Sequence, residues 1–371
     1  FMATKIDRRL WLRQSTLALA GLGLAPNLFA GAKEKSLHLT GKMILLNSNE
    51  NPYGPSPLAR KAIMDTYLST NRYPDDYIPL LKKKIASHWK VNEDNILLGA
   101  GSSEIIGLAC HHVSKMKGHI ITGEPSYKVW NQQATAFGHS FKAISLADDK
   151  KLSLPKMFGS INNETRMIYI CNPNNPTGTV CNVDTVTAYA KEALPKTFVF
   201  IDEAYSEFAE LESMASLAVQ NKNMVVAKTF SKIYGLAGAR IGFAIAHPET
   251  IKALGSYQPW PDGSVSVTAA AAALASLDDT NFVKSCRENI AASRDICYTS
   301  FKALSLPFIP SLTNFMMFNI DKIKGDFVKQ MQAENIYVQY RNHFGGNWCR
   351  VSMGTKDEML AFVNTLEKIA G

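Results

Sequence analysis

The six cysteines, at positions 110, 171, 181, 286, 297 and 349, form no CxxC pair and no metal-ligand spacing. That removes a structural zinc module, and the scatter argues for isolated core thiols rather than a disulfide frame. Long apolar runs are missing too. None reaches the roughly 18–20 residues that a membrane-crossing helix needs. A stripe of one charge is also absent. Lysine and arginine outnumber aspartate and glutamate by 40 to 32, for a net charge of +8, yet only Lys82, Lys83 and Lys84 run together. That pattern describes a basic but ordinary surface, not a nucleic-acid groove. Internal repeats and low-complexity linkers are lacking as well.

What is present is a 371-residue chain, 46% hydrophobic and 19% charged. Such a chain can bury an enzyme-sized core, either as two domains or as one large α/β domain with a smaller one attached. Its first 32 residues include "DRRLWLRQSTLALAGLGLAPNLFAGA": a basic head, a moderately apolar middle and Ala30-Gly31-Ala32 at a cleavage-like position. Arg8-Arg9 followed by Trp11, Leu12 and Arg13 resembles a twin-arginine export signal, which implies a periplasmic location. The alternative is an amphipathic N-terminal helix packed on the body of a cytoplasmic protein.

Downstream, "LTGKMILLNSNENPYGPSP" reads as an extended segment closed by a proline-rich turn. Helical spacing follows over 56–69 and 76–90. "NILLGAGSSEIIGLACHHV" has the form strand, small-residue turn, helix. Further apolar runs, "GHIITG", "TRMIYICN", "TFVFIDE", "NMVVAKTF" and "RIGFAIA", are mostly separated by lengths that fit a helix. Alternation of this kind predicts βαβ units and a large domain over 71–262 built on a mainly parallel, seven-stranded-type sheet. From about residue 263 the pattern changes to an alanine-rich helix, a charged helix, short strands at "FMMFNI", "IYVQY" and "CRVSMG", and a closing helix over 356–369. That predicts a smaller α+β domain over 263–371, joined by residues 33–70.

Four local features fall at predicted strand ends, where ligands gather in open α/β sheets. In "GAGSSE", Ser102 and Ser103 open a helix whose free amides attract an anion, although a plain helix cap looks the same. In "CNPNNPTGTV", two prolines and Gly178 fix a rigid loop from which Asn175 can aim its amide. In "VFIDEAYSEF", Asp202 ends an apolar strand, where a carboxylate is costly unless it meets a cation, and Tyr205 follows. In "KTFSKIYGLAGARIG", Lys232 lies among Thr229, Ser231 and Arg240. Desolvation and a nearby cation would lower its pKa toward a nucleophilic amine.

An amine beside an anion site and a buried carboxylate is what an aldehyde cofactor with a phosphate arm requires. The reading is pyridoxal 5′-phosphate in a Schiff base with Lys232, its pyridine nitrogen on Asp202. Ser102, Ser103, Thr229, Ser231 and Arg240 would take the phosphate. Asn175 and Tyr205 would bond the ring hydroxyl, and Tyr127 would stack on the ring.

Taken in order, "LNSNENPYGPSP", "NRYPDD", "GSSE", "CNPNNPTG", "IDEAY", "TFSKIYGLAGARIG" and "CRVSMGT" resemble the motifs of the histidinol-phosphate aminotransferase family. That family lies within the fold-type I, class I/II pyridoxal-phosphate enzymes, and the resemblance runs from about residue 44 to the C-terminus. It implies an amino transfer to 2-oxoglutarate with ping-pong kinetics, Lys232 shuttling the proton. It also implies that Arg350 clamps a substrate carboxylate and that Tyr53 lies near the substrate. Tyr73 would reach the cofactor phosphate of a neighbouring subunit, and hence implies a homodimer. One position departs from the pattern. Gln339 stands where the family commonly has a phosphate-binding arginine, and Arg341 is the nearest arginine to replace it. That departure bears on the donor, and an aminotransferase for a different amino acid such as an aromatic one stays open; so, on the same cofactor, do a threonine-phosphate-decarboxylase-like enzyme, a racemase or lyase, and a non-catalytic cofactor-binding protein.

Overall fold

The computed structural model describes residues 43–128 and 131–371, so the twin-arginine segment lies outside the described residues. Residues 44–371 cluster as one compact unit. Its strands are, in chain order, β1 (Ile44–Leu45), β2 (Ile96–Gly99), β3 (Gly118–Glu124), β4 (His139–Ser145), β5 (Thr165–Cys171), β6 (Phe198–Asp202), β7 (Met224–Thr229), β8 (Gly242–Ile245), β9 (Phe308–Ile309), β10 (Phe315–Asn319), β11 (Ile336–Tyr337), β12 (Gln339–His343) and β13 (Gly346–Ser352).

Seven of them form one sheet in the order β2-β8-β7-β6-β5-β3-β4. The strands β5, β6 and β7 are buried along nearly their whole length, which is why they read as continuous apolar runs rather than alternating ones. The sheet is parallel except at β8, which runs antiparallel to both β7 and β2. That reversal has a use. Gly242, the first residue of β8, pairs with Thr229 at the end of β7 and with Gly99 at the end of β2. A residue just before β8 therefore reaches the same sheet edge as residues just after β2 and β7. The strand β4 carries no continuous apolar signal, because it is a half-exposed edge strand of mixed composition. All six cysteines are buried free thiols.

A smaller antiparallel sheet, β12-β13-β10-β9, lies within residues 308–352. The run "IYVQY" divides at Val338: β11 pairs parallel with β1, and β12 pairs with β13. The strand β1 near the start of the described residues thus joins the C-terminal part of the chain. The helices expected over 56–69 and 76–90 are Pro57–Thr66, extended by one 3-10 turn, and Tyr77–Trp89. Ser56 caps the first by accepting from the amide of Ala59 at 3.1 Å, and proline follows as the first helical residue. Among the described residues, no helix is long and apolar enough to cross a membrane.

Candidate active site

The carboxyl edge of the large sheet opens into a cavity of about 710 Å³, walled on its outer side by β12 and β13. Eleven sequence-predicted residues line it together: Ser102, Ser103, Tyr127, Asn175, Asp202, Tyr205, Thr229, Ser231, Lys232, Arg240 and Arg350, with Arg341 and Gln339 on the outer wall. The convergence follows from the register. Cys171 pairs with Asp202, Asp202 with Ala227, and Thr229 with Gly242, so each loop leaves the sheet at one level.

At one end lies an anion cradle. The helix Ser102–Val113 points its free amides at the cavity, and glutamate in its first turn also caps the preceding loop: Ala100 N donates to Glu104 Oε2 at 2.6 Å. Arg240 donates to Ala100 O at 3.1 Å and to Ala237 O at 3.1 Å, which fixes its guanidinium over the same loop. Gly101 makes this approach possible. Its φ is +83°, and a Cβ there would sit 2.6 Å from Arg240 Nη2. Thr229 Oγ1 donates to Ser231 Oγ at 2.9 Å, so the two hydroxyls form a linked pair at the neighbouring strand end. Tyr127 is hydrogen-bonded to Ser103, and burial raises its pKa.

The floor holds Asp202, buried at the end of β6. Burial raises its pKa, and a bond from Tyr169 Oη to Oδ2 at 2.7 Å and one from Ala204 N to Oδ1 at 3.1 Å hold it back. Nearby, Tyr205 Oη accepts from Asn49 Nδ2 at 3.1 Å and from Asn175 Nδ2 at 3.2 Å. The two amide orientations are fixed from behind, since Asn49 Oδ1 accepts from Ser352 Oγ and Asn175 Oδ1 from Arg350 Nη1. With both amides donating to its oxygen, the phenol keeps its own proton for a ligand in the cavity.

Lys232 follows β7 and is half-buried, its Nζ 3.2 Å from Asn49 O. Burial and then Arg350 draw its pKa down to about 8, against a partial pull upward from Glu50 and Asp202. Arg350 reaches in from β13. Its Nη1 bonds Asn175, its Nη2 bonds Asn47 O at 2.9 Å, and its buried Nε has no partner in the protein. Burial brings its pKa down to about 10.

Two predicted residues do not line this cavity. Tyr53 is half-buried against the core, and Tyr73 is 72% exposed with its ring edge-on to Trp260 at 4.9 Å. Among the residues of the site that escaped the sequence reading, four bear on its chemistry. Asn47 and Asn49 lie in the amide-rich "NSNENP", whose alternate asparagines were the available signal. Tyr169 carries a polar tip in a strand otherwise apolar. His343 lines the outer wall two residues beyond Arg341.

The donor set fits a phosphate-armed pyridine aldehyde: an anion cradle, a buried carboxylate, a phenol with its proton free, and an amine of lowered pKa in one cavity. The sequence profile of aminotransferase class I and II matches residues 41–366. The histidinol-phosphate aminotransferase of Moorella thermoacetica is 31% identical over 334 residues, which cover 88% of this chain and 85% of that protein. The histidinol-phosphate aminotransferase of Shouchella clausii is 34% identical, covering 88% and 89%. The crystal structure of histidinol-phosphate aminotransferase from Sinorhizobium meliloti in complex with pyridoxal-5′-phosphate superposes with a TM-score of 0.81 at 26% identity, covering 88% of this chain and 90% of that one. This chain accordingly belongs to the class I and II aminotransferases, as a pyridoxal-phosphate-dependent enzyme similar to the histidinol-phosphate aminotransferases.

Proposed function

We propose that the protein moves the amino group of a primary-amine donor onto 2-oxoglutarate, with Lys232 as the residue that carries the cofactor. The observation that supports this most directly is a half-buried lysine, its pKa drawn down to about 8, in one cavity with Asp202 and Arg350. When bound, pyridoxal phosphate supplies an aldehyde for the amine and a ring that accepts electrons from the donor's α-carbon.

The chain's own residues do the rest. Ser102, Ser103, Thr229, Ser231 and Arg240 hold the phosphate. Asp202 would keep a negative charge for the ring nitrogen, Asn175 and Tyr205 would hold the ring hydroxyl, and Tyr127 would cover the ring. Arg350 would fork onto the carboxylate of 2-oxoglutarate or of an amino-acid donor, its unpartnered Nε leaving a donor to spare. Lys232 Nζ would take the proton from the donor's α-carbon and deliver it to the cofactor's aldehyde carbon, a task suited to an amine whose pKa is drawn down to about 8.

The curated relatives are named for histidinol phosphate, and that amine is the first donor to test, with Arg341 at its far end. Gln339 favours a second reading, an aminotransferase for another amino acid, because a neutral amide forgoes a charge-assisted contact worth about 1.5–3 kcal/mol. Likeness in fold to a threonine-phosphate decarboxylase at 18% identity keeps carbon dioxide release as a control. Beyond the chemistry, we propose a homodimer in which Tyr73 serves the neighbouring cavity. The exposed Met64, Tyr67 and Leu68, shortly before Tyr73 in the chain, offer apolar side chains to a second copy. Export through the Arg8-Arg9 segment is proposed on the sequence alone.

The test is a half-reaction. Purified protein loaded with pyridoxal phosphate is mixed with histidinol phosphate or with single amino acids, and the bound cofactor's absorbance is followed. Adding 2-oxoglutarate should then restore the spectrum and yield glutamate. Carbon dioxide evolution without an acceptor, or an inert spectrum with every amine, would remove the aminotransferase reading.

A further inference from the structure

The outer wall of the cavity is the cavity-facing side of β12. Alternation along the strand puts Gln339, Arg341 and His343 on that side, where all three line the cavity. The opposite side is occupied within the strand pair: Tyr340 Oη donates to Asn347 Oδ1 at 2.6 Å, and Asn342 Nδ2 to Tyr340 Oη at 3.4 Å. The cavity side is not. Gln339 Oε1 is buried without a partner. Arg341 reaches only the carbonyl of Tyr340, at 3.1 Å, and meets no carboxylate among the described residues. A half-buried guanidinium that meets only a neighbouring carbonyl keeps donors free for an anionic ligand.

The charge on that wall can be counted. Arg341 contributes one positive charge and Gln339 none. Lys128 also lines the cavity, but it pairs with Glu124 of β3. His343 faces Glu124, Arg341 and Lys128, and burial holds its pKa below the ordinary imidazole value, so it is neutral at pH 7. On β12 the wall therefore carries one net charge, while Arg350, across from Gln339 on β13, is the second cation and is the one assigned to the near carboxylate of the substrate.

We propose that Gln339, Arg341 and His343 form the subsite for the far end of the substrate, and that it takes a single-charged carboxylate in preference to a phosphate dianion. This rests on the aminotransferase reading above for the word substrate, although the subsite itself is a binding claim. A carboxylate matches the one guanidinium with a planar fork, whereas a dianion leaves one charge desolvated and unpaired.

Isothermal titration of the cofactor-loaded protein tests it without turnover. The probes are glutarate, which has a carboxylate at each end, and 3-phosphoglycerate, whose phosphate is dianionic above about pH 7. Glutarate should bind roughly tenfold more tightly or better, and Arg341→Gln should weaken it by roughly ten- to a hundredfold. Gln339→Arg, which adds the second charge, should narrow or reverse the preference. Tighter binding of 3-phosphoglycerate by the parent protein, or glutarate affinity within about twofold in Arg341→Gln, would overturn the proposal. A protein that binds glutarate as expected but shows no spectral change with any amine would fail the proposed function and keep the subsite.

Discussion

Lys228 and Lys232 stand four residues apart in one short stretch, at opposite sides of the end of β7, and they meet opposite surroundings. Lys228 is buried, with Glu207 Oε1 at 2.9 Å, Glu203 Oε2 at 3.0 Å and Ser206 Oγ at 2.7 Å. Burial pulls its pKa down, and Glu207 and Glu203 more than reverse that, so the pKa ends above its ordinary value. Lys232 feels the same desolvation, but Arg350 adds to it and the pKa falls to about 8. The one carboxylate in its cavity floor, Asp202, is already engaged by Tyr169 and by the Ala204 amide. Burial alone does not make a lysine reactive. The placement of the carboxylates decides which of the two is a strut and which is an available base.

The largest effect should separate the two lysines by activity. Lys232→Ala should lower turnover by roughly 10²–10⁴-fold or more, in a protein that still folds. Retained turnover would break the comparison at its centre. Lys228→Met should do the reverse. Removing one partner of a buried ion cluster leaves Glu203 and Glu207 uncompensated, at a cost of about 3–5 kcal/mol read from urea unfolding. Adding Glu203→Gln should recover part of that loss. An unchanged unfolding midpoint for Lys228→Met would mean that the cluster is not a strut.

A subtler contrast sharpens the same point. In cofactor-free protein, the folded state holds Lys232 at a pKa of about 8, while the unfolded chain holds it near its ordinary value of about 10.4. Between those values the unfolded chain binds a proton that the folded chain does not, so stability rises with pH across that window. Below it, the charged amine is a constant penalty. Lys232→Met should therefore stabilise cofactor-free protein at neutral pH by on the order of 2 kcal/mol, and the gain should vanish above about pH 10. A gain that did not change with pH would assign the effect to packing.

The floor of the site was more legible than its walls, and the reason is range. Asp202, Asn175 and Lys232 sit at or just beyond the end of an apolar strand and Arg240 just before one, all local signals. The bonds that orient them are not local. Asn49 is 156 positions from Tyr205, and Ser352 is 303 positions from Asn49. The reversal of β8 was equally hidden, because "RIGFAIA" reads as one more buried strand whichever way it runs. The division of "IYVQY" at Val338 likewise depends on two different partner strands, β1 and β13. Alternation along β12 was visible, but only its neighbours could say which side faced the cavity.

Tyr169 gives the smallest effect and tests how the floor stays charged. Its Oη donates to Asp202 Oδ2 at 2.7 Å with both groups buried, so it favours the carboxylate over the acid. Asp202 already has a folded pKa raised above its ordinary value by burial. Its charge therefore disfavours the folded state once pH exceeds that ordinary value, and the penalty is complete above the folded pKa. Tyr169→Phe should raise that pKa further and add about 1.5 kcal/mol to the penalty. Measured by urea unfolding of cofactor-free protein, the deficit should be small in acid, where Asp202 is protonated in both states, and grow toward neutral pH. In an Asp202→Asn background the pH dependence of the deficit should disappear. If Tyr169→Phe costs the same at every pH, Tyr169 only fills space, and Asp202 keeps its charge by way of the Ala204 amide and Lys232.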